Sequence, residues 1–84
     1  MPIDRNEVED KVKTILSKEL GIDKEKISLE KKLSEDLGMD SFSSVEVIFT
    51  LEDMLGINIP DRDAIKLLTV NDVVNYIISQ LASK

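Results

Sequence analysis

Two apolar-periodic stretches of this chain end on the same dipeptide, Gly21-Ile22 and Gly56-Ile57. A glycine there accepts the left-handed backbone that closes an α-helix, and the apolar residue behind it packs back on the last turn. The first stretch opens near Asp4 or Asn6, since Asp4-x-x-Glu7 and Asn6-x-x-Glu9 both have capping-box spacing. Val8, Val12, Ile15, Leu16 and Leu20 then recur on one helical face. The second stretch begins at Asp40 or Ser41, with Asp40 suited to the N-cap, and runs to about Leu55. Val45, Ile48, Phe49, Leu51 and Leu55 are its expected buried stripe. Pro60 ends the extended link after Gly56, and Asp61 is placed to cap a short helix through Ile65 or Leu67. The last helix starts at Thr69, where Thr69-x-x-Asp72 is another capping-box pattern, and presents Val70, Val73, Val74, Ile77, Ile78 and Leu81.

The segment between Gly21 and Asp40 is less regular. Ile27, Leu29, Leu33 and Leu37 are scattered apolar anchors in an otherwise polar stretch. Connections of this length are usually functional or disordered; the anchors predict an ordered loop laid over the core, with a helical turn at Ser34–Leu37. The expected fold class is all-α: a small bundle of three main helices plus one short helix, with a long loop between helices 1 and 2. Eighty-four residues predict a single domain over 1–84. Two Phe, one Tyr and no Trp leave the core to Ile, Leu, Val and Met, whose flexible packing lets parts of it slide or separate.

Composition removes whole classes of chemistry. The chain contains no Cys and no His, so thiolate nucleophiles, disulfides and the commonest zinc and proton-transfer residues are absent. No apolar run approaches the ~20 residues that span a bilayer, so no membrane span and a cytoplasmic location are expected. The net charge of −6 is wrong for a nucleic-acid binder. Residues 34–63 hold eight acids (Glu35, Asp36, Asp40, Glu46, Glu52, Asp53, Asp61, Asp63) against Arg62, a net of −7, while the other 54 residues sum to +1. Such a region is either a solvated helix face or a surface for partners bearing Lys/Arg patches. No segment has the ligand pattern of an EF-hand. Loose divalent-ion binding among Asp36, Asp40, Glu46 and Asp53 is conceivable, but no dedicated metal site is expected.

The informative window is Glu35-Asp36-Leu37-Gly38-Met39-Asp40-Ser41-Phe42. It puts a serine on the first turn of a helix, where a phosphate ester would meet the positive end of the helix dipole. A serine so placed is more often only a helix-start residue. Catalysis by Ser41 itself lacks a neighbouring base and an oxyanion site, so no catalytic residue is expected.

Asp36-Leu37-Gly38-Met39-Asp40-Ser41-Phe42 resembles the D-L-G-x-D-S-L signature of acyl carrier proteins. Val45-Glu46 and Leu51-Glu52-Asp53 fall where that family has an acidic second helix, and Ile59-Pro60-Asp61 matches its I-P-D turn. The resemblance implies a non-catalytic freestanding carrier of the bacterial fatty-acid-synthesis type. Ser41 would receive 4′-phosphopantetheine from coenzyme A through a phosphopantetheinyl transferase, and the arm would hold acyl groups as thioesters. Asp40, Phe42, Glu46, Glu52 and Asp53 would meet basic docking patches on acyl-transfer, condensing and reducing enzymes, with the carrier itself a monomer. Ile48, Leu51, Leu55, Ile65, Leu67 and Ile77 would line the space for an acyl chain, or simply form core.

Three departures from the pattern bear on cargo. Phe42 replaces the usual Leu, Ser43 stands where many fatty-acid carriers have an acid, and Met54 interrupts the acidic end of the second helix. They keep open a specialised carrier for a polyketide, hydroxyacyl or aminoacyl pathway. A reading from another class is an acidic helical interaction domain without a prosthetic group.

Overall fold

A computed structural model describes residues 4–83. They form α1 (Arg5–Leu20), a 3₁₀ turn (Lys24–Lys26), α2 (Ser41–Leu55), the short α3 (Asp61–Ala64) and α4 (Val70–Ala82). This is the all-α bundle of three main helices and one short one that the periodicity predicts.

The helix boundaries follow the local chemistry. The Asp4 carboxylate accepts from Asn6 N–H at 2.9 Å, so α1 takes the earlier of its two predicted starts. Gly21 (φ 67°) closes it, and the N–H groups of Gly21 and Ile22 both donate to the Ser17 carbonyl, at 2.9 and 3.2 Å. Gly56 (φ 62°) closes α2 in the same way, donating to the Glu52 carbonyl at 3.0 Å. At α4 the predicted box forms reciprocally. Asp72 N–H donates to Thr69 Oγ1 and Thr69 N–H donates to Asp72 Oδ2, each at 3.1 Å.

The short helix differs from expectation. Asp61 is its first residue and not its cap; Pro60 takes the N-cap position, and no side chain caps the helix. The Pro60 carbonyl already accepts the N–H groups of Asp63 and Ala64, which sets the start one residue earlier. The helix stops at Ala64, and Lys66 and Leu67 continue it only as i→i+3 turns.

The long loop is ordered over the core, with Ile27, Leu33 and Leu37 buried and Leu29 half-buried. Its predicted helical turn is a set of hydrogen-bonded turns, in which Asp36 and Leu37 donate to the Lys32 carbonyl and Gly38 to that of Ser34. Leu33 N–H donates to Leu68 O at 2.9 Å, and Val70 N–H to Lys31 O at 3.0 Å. These backbone bonds tie the loop to the start of α4.

Among the described residues, α1 packs along both α2 and α4, whereas those two do not approach each other closely along their lengths. The space between them is filled by side chains, the loop and the α3 region. The core is aliphatic, and no polar side chain among the described residues is buried in it.

The stripe expected on α2 needs correction. Leu51 is buried, but Val45 and Phe49 are each 69% exposed, and Val47 takes the inward place. The helix is apolar on nearly every side, so spacing alone allowed two faces. Glu46 and Asp53, seven residues apart, mark the outer one, and Phe42 and Phe49 share it. Accordingly, Leu51→Ala should cost about 2–5 kcal/mol in urea unfolding, a large part of what an 84-residue domain has. Phe49→Ala should change stability by less than about 0.5 kcal/mol. Equal costs would mean that the two faces of α2 are wrongly assigned.

Candidate functional site

Asp40 fixes where α2 begins. Its Oδ1 accepts from Ser43 N–H at 2.8 Å, while Ser43 Oγ accepts from Asp40 N–H at 3.0 Å. Ser43 therefore completes a capping box, a role that its place as an apparent substitute for an acid had concealed. The Ser43 N–H, and then the Ser43 hydroxyl, hold the Asp40 carboxyl below its ordinary value.

Three serines share this first turn, in three different states. Ser43 is tied to Asp40, and Ser44 is half-buried against the α3 side. Ser41 is exposed, and its hydroxyl has no hydrogen-bond partner among the described residues. A phosphate ester fits there sterically. The electrostatic welcome is smaller than position alone predicts, because the Asp40 carboxylate already occupies part of the helix N-terminus.

Two lines of side chains run down α2 from this point. Phe42, Glu46, Phe49 and Asp53 alternate aromatic and acid along the exposed face, at spacings of three and four residues. Ser41, Val45, Ile48 and Glu52 have the same spacing on the neighbouring line. The last three border an open groove of about 640 Å³, whose opposite side is Ile59, Ala64 and Ile65. Ser41 thus heads the line that leads into the groove.

Behind Ile48 and Ala64 lies a smaller, less open space of about 20 Å³, reached also by Val47, Leu51, Leu67 and Val73. That is room for about one water molecule. Of the residues read as an acyl-chain lining, Ile48 faces both spaces, while Leu51 and Leu67 face the inner one. Ile65 lies only on the open groove and is 76% exposed. Leu55 and Ile77 line neither space. Leu55 lies in the last turn of α2, beyond the groove, and on α4 it is Val73 that reaches the cavity while Ile77 is sealed in the core.

The acidic residues also divide. Asp40, Glu46 and Asp53 are exposed. Glu52 is half-buried, and its Oε2 accepts from Ile59 N–H at 2.7 Å, a contact that nothing local in the sequence announces. Across the groove the Tyr76 hydroxyl donates to Asp63 Oδ2 at 2.7 Å. Burial first, and then this carboxylate, push the phenol up to about 12. Among the described residues no three carboxylates converge to hold a metal ion, and no helix is long and apolar enough to cross a membrane.

Residues 10–77 match the family model described as a phosphopantetheine attachment site. Together with the exposed serine on a capped helix, the match defines a carrier domain for a phosphopantetheine arm. The sequence is 42% identical to an acyl carrier protein of Thermosynechococcus vestitus, over 96% of this chain and 100% of that relative. It is 47% identical to one from Campylobacter jejuni subsp. doylei, over 81% of this chain and 88% of the relative. The solved structure of an acyl carrier protein from Enterococcus faecalis matches with a TM-score of 0.78 at 37% identity, covering 93% of this chain and 99% of that one. The chain belongs to the acyl carrier protein family, whose members carry cargo and do not catalyse its chemistry.

The Asp40 cap has a pH signature. Its folded value lies below the ordinary 3.8, so its stabilisation is complete above that pH and is lost as pH falls through the lower folded value. Thermal melts should place wild type several degrees above Asp40→Ala at pH 7 and 5, with the gap narrowing as pH falls below 3.8. A gap that stays constant to pH 2 would contradict this charge assignment.

Proposed function

We propose that Ser41 is the attachment point for 4′-phosphopantetheine and that the protein shuttles acyl thioesters among enzymes of fatty acid synthesis. The observation that carries the site is the state of Ser41, exposed at the head of the groove line, whereas Ser43 is tied into the cap and Ser44 is half-buried. When bound, the arm supplies a terminal thiol for the thioester. The protein's own residues do the positioning. Asp40 and Ser43 fix the helix start, and the aliphatic groove lined by Val45, Ile48 and Ala64 offers cover for an apolar chain.

The exposed line Phe42, Glu46, Phe49 and Asp53, with Asp40 at its head, is the docking face in this reading. Each exposed ion pair contributes little. Together they orient an encounter with the basic patch of a transferase, condensing or reducing enzyme, and keep it short-lived. Likeness to acyl carrier proteins of two bacteria over nearly their full length supports a freestanding carrier; in this reading it works in the cytoplasm and its cargo is of the fatty-acid type. A second reading, a specialised carrier for another acyl class, is favoured by one feature. Both phenylalanines of the chain lie outside on the docking face, at 74% and 69% exposure. A partner built for two aromatic rings would discriminate this carrier from one with smaller aliphatic residues there.

Incubation with a phosphopantetheinyl transferase and coenzyme A should add one phosphopantetheine to the intact mass. Ser41→Ala should abolish the addition, and Ser43→Ala should retain it. An unchanged wild-type mass would instead favour an interaction domain without a prosthetic group. The second-order rate of this loading should fall by about tenfold or more between low and high salt. A salt-independent rate would remove the acidic-face mechanism and leave the attachment site standing.

A further inference from the structure

The link between α2 and α4 is held differently from the rest of the fold. The short α3 has no side-chain cap, and among the described residues it packs little against the three long helices. Side chains fix this link instead: Asp72 takes the Leu68 N–H at 3.0 Å at the α4 end, and two more act nearer α2. Tyr76 reaches Asp63 at 2.7 Å, and Glu52 takes the Ile59 N–H at 2.7 Å. Ile59 is 4% exposed, so its amide would be left buried and unpaired without that carboxylate. Ile59 and Ala64 form the groove's far wall, and Ala64 also closes the inner space behind it.

We propose that Glu52 is a positioning residue, a latch whose carboxylate holds Ile59 against α2 and so fixes the link that carries Ala64, which stands between the groove and the inner space. The inference rests on the reading that apolar cargo from Ser41 uses this groove. It separates Glu52 from its neighbours. Glu46 and Asp53 offer exposed charge to a partner, while Glu52 uses its carboxylate inside the molecule in a charge-assisted bond. Opening the wall releases the link between two helices whose backbones stay apart, so the aliphatic interior can widen from one water to the width of an acyl chain without unfolding α1.

The test uses the full chain, with amide hydrogen exchange read by NMR and the neutral dye Nile red as apolar probe. Glu52→Ala should speed exchange at Ile59 by about tenfold or more, while Leu16 in α1 stays as in wild type. It should also raise Nile red fluorescence. Glu52→Gln keeps a side-chain carbonyl acceptor, so both readouts should stay within about threefold of wild type. Wild-type exchange at Ile59 in Glu52→Ala, or equal acceleration at Leu16, would overturn the latch. So would Glu52→Gln behaving like Glu52→Ala, or Nile red fluorescence unchanged in Glu52→Ala. The docking reading fails separately, if Glu46→Gln leaves the transferase KM unchanged. The attachment reading fails if no arm is added at all; neither result alters the exchange comparison.

Discussion

The reciprocal bond between Asp40 and Ser43 fixes where α2 begins, and buried Val47 and Leu51 fix which way it faces; the other functional placements depend on this pair of constraints. Turning α2 by one residue, about 100°, would take Val47 and Leu51 out of the core together with Ser41 off the groove line. An N-cap is a small interaction energetically. Its importance here is geometric, because the helix that it starts carries the serine, the exposed acids and one wall of the groove.

The same economy runs through the rest of the bundle. Since α2 and α4 both rest on α1 and their backbones stay apart, the interior between them is completed by side chains, the loop and the α3 region. The long loop is tied to the start of α4 by backbone bonds at Lys31 and Leu33, which makes that side firm. The α3 side is held by single hydrogen bonds from Glu52 and Tyr76. An all-aliphatic core suits this division, because it can give way on the weak side while the firm side stays packed. In the proposed reading, one weakly held wall lets the bundle hide an apolar group and later surrender it.

Much of this was legible in the sequence wherever the information was local. The caps at Asp40 and Thr69 and the stops at Gly21 and Gly56 each depend on a few adjacent residues, and all four stand where spacing put them. The orientation of α2 was less legible. A helix apolar on nearly all sides gives no decisive period, so Val45 and Phe49 were read inward and Val47 was passed over. The spacing of Glu46 and Asp53 held the missing signal. Long-range contacts were illegible in principle. Nothing near Glu52 points to Ile59, nor near Tyr76 to Asp63, because those pairs exist only once the chain has folded. Burial was illegible for the same reason: Leu55 and Ile77 are apolar at the right period, yet Leu55 lies beyond the groove and Ile77 is sealed in the core.

The central claim is that the fold singles out one serine of three adjacent candidates. It is tested most directly by fragmenting the loaded wild-type protein, all three serines intact, and locating the added group by mass. The account predicts phosphopantetheine on Ser41 alone. The group found on Ser43, the serine that completes the cap, or on the half-buried Ser44 would contradict it.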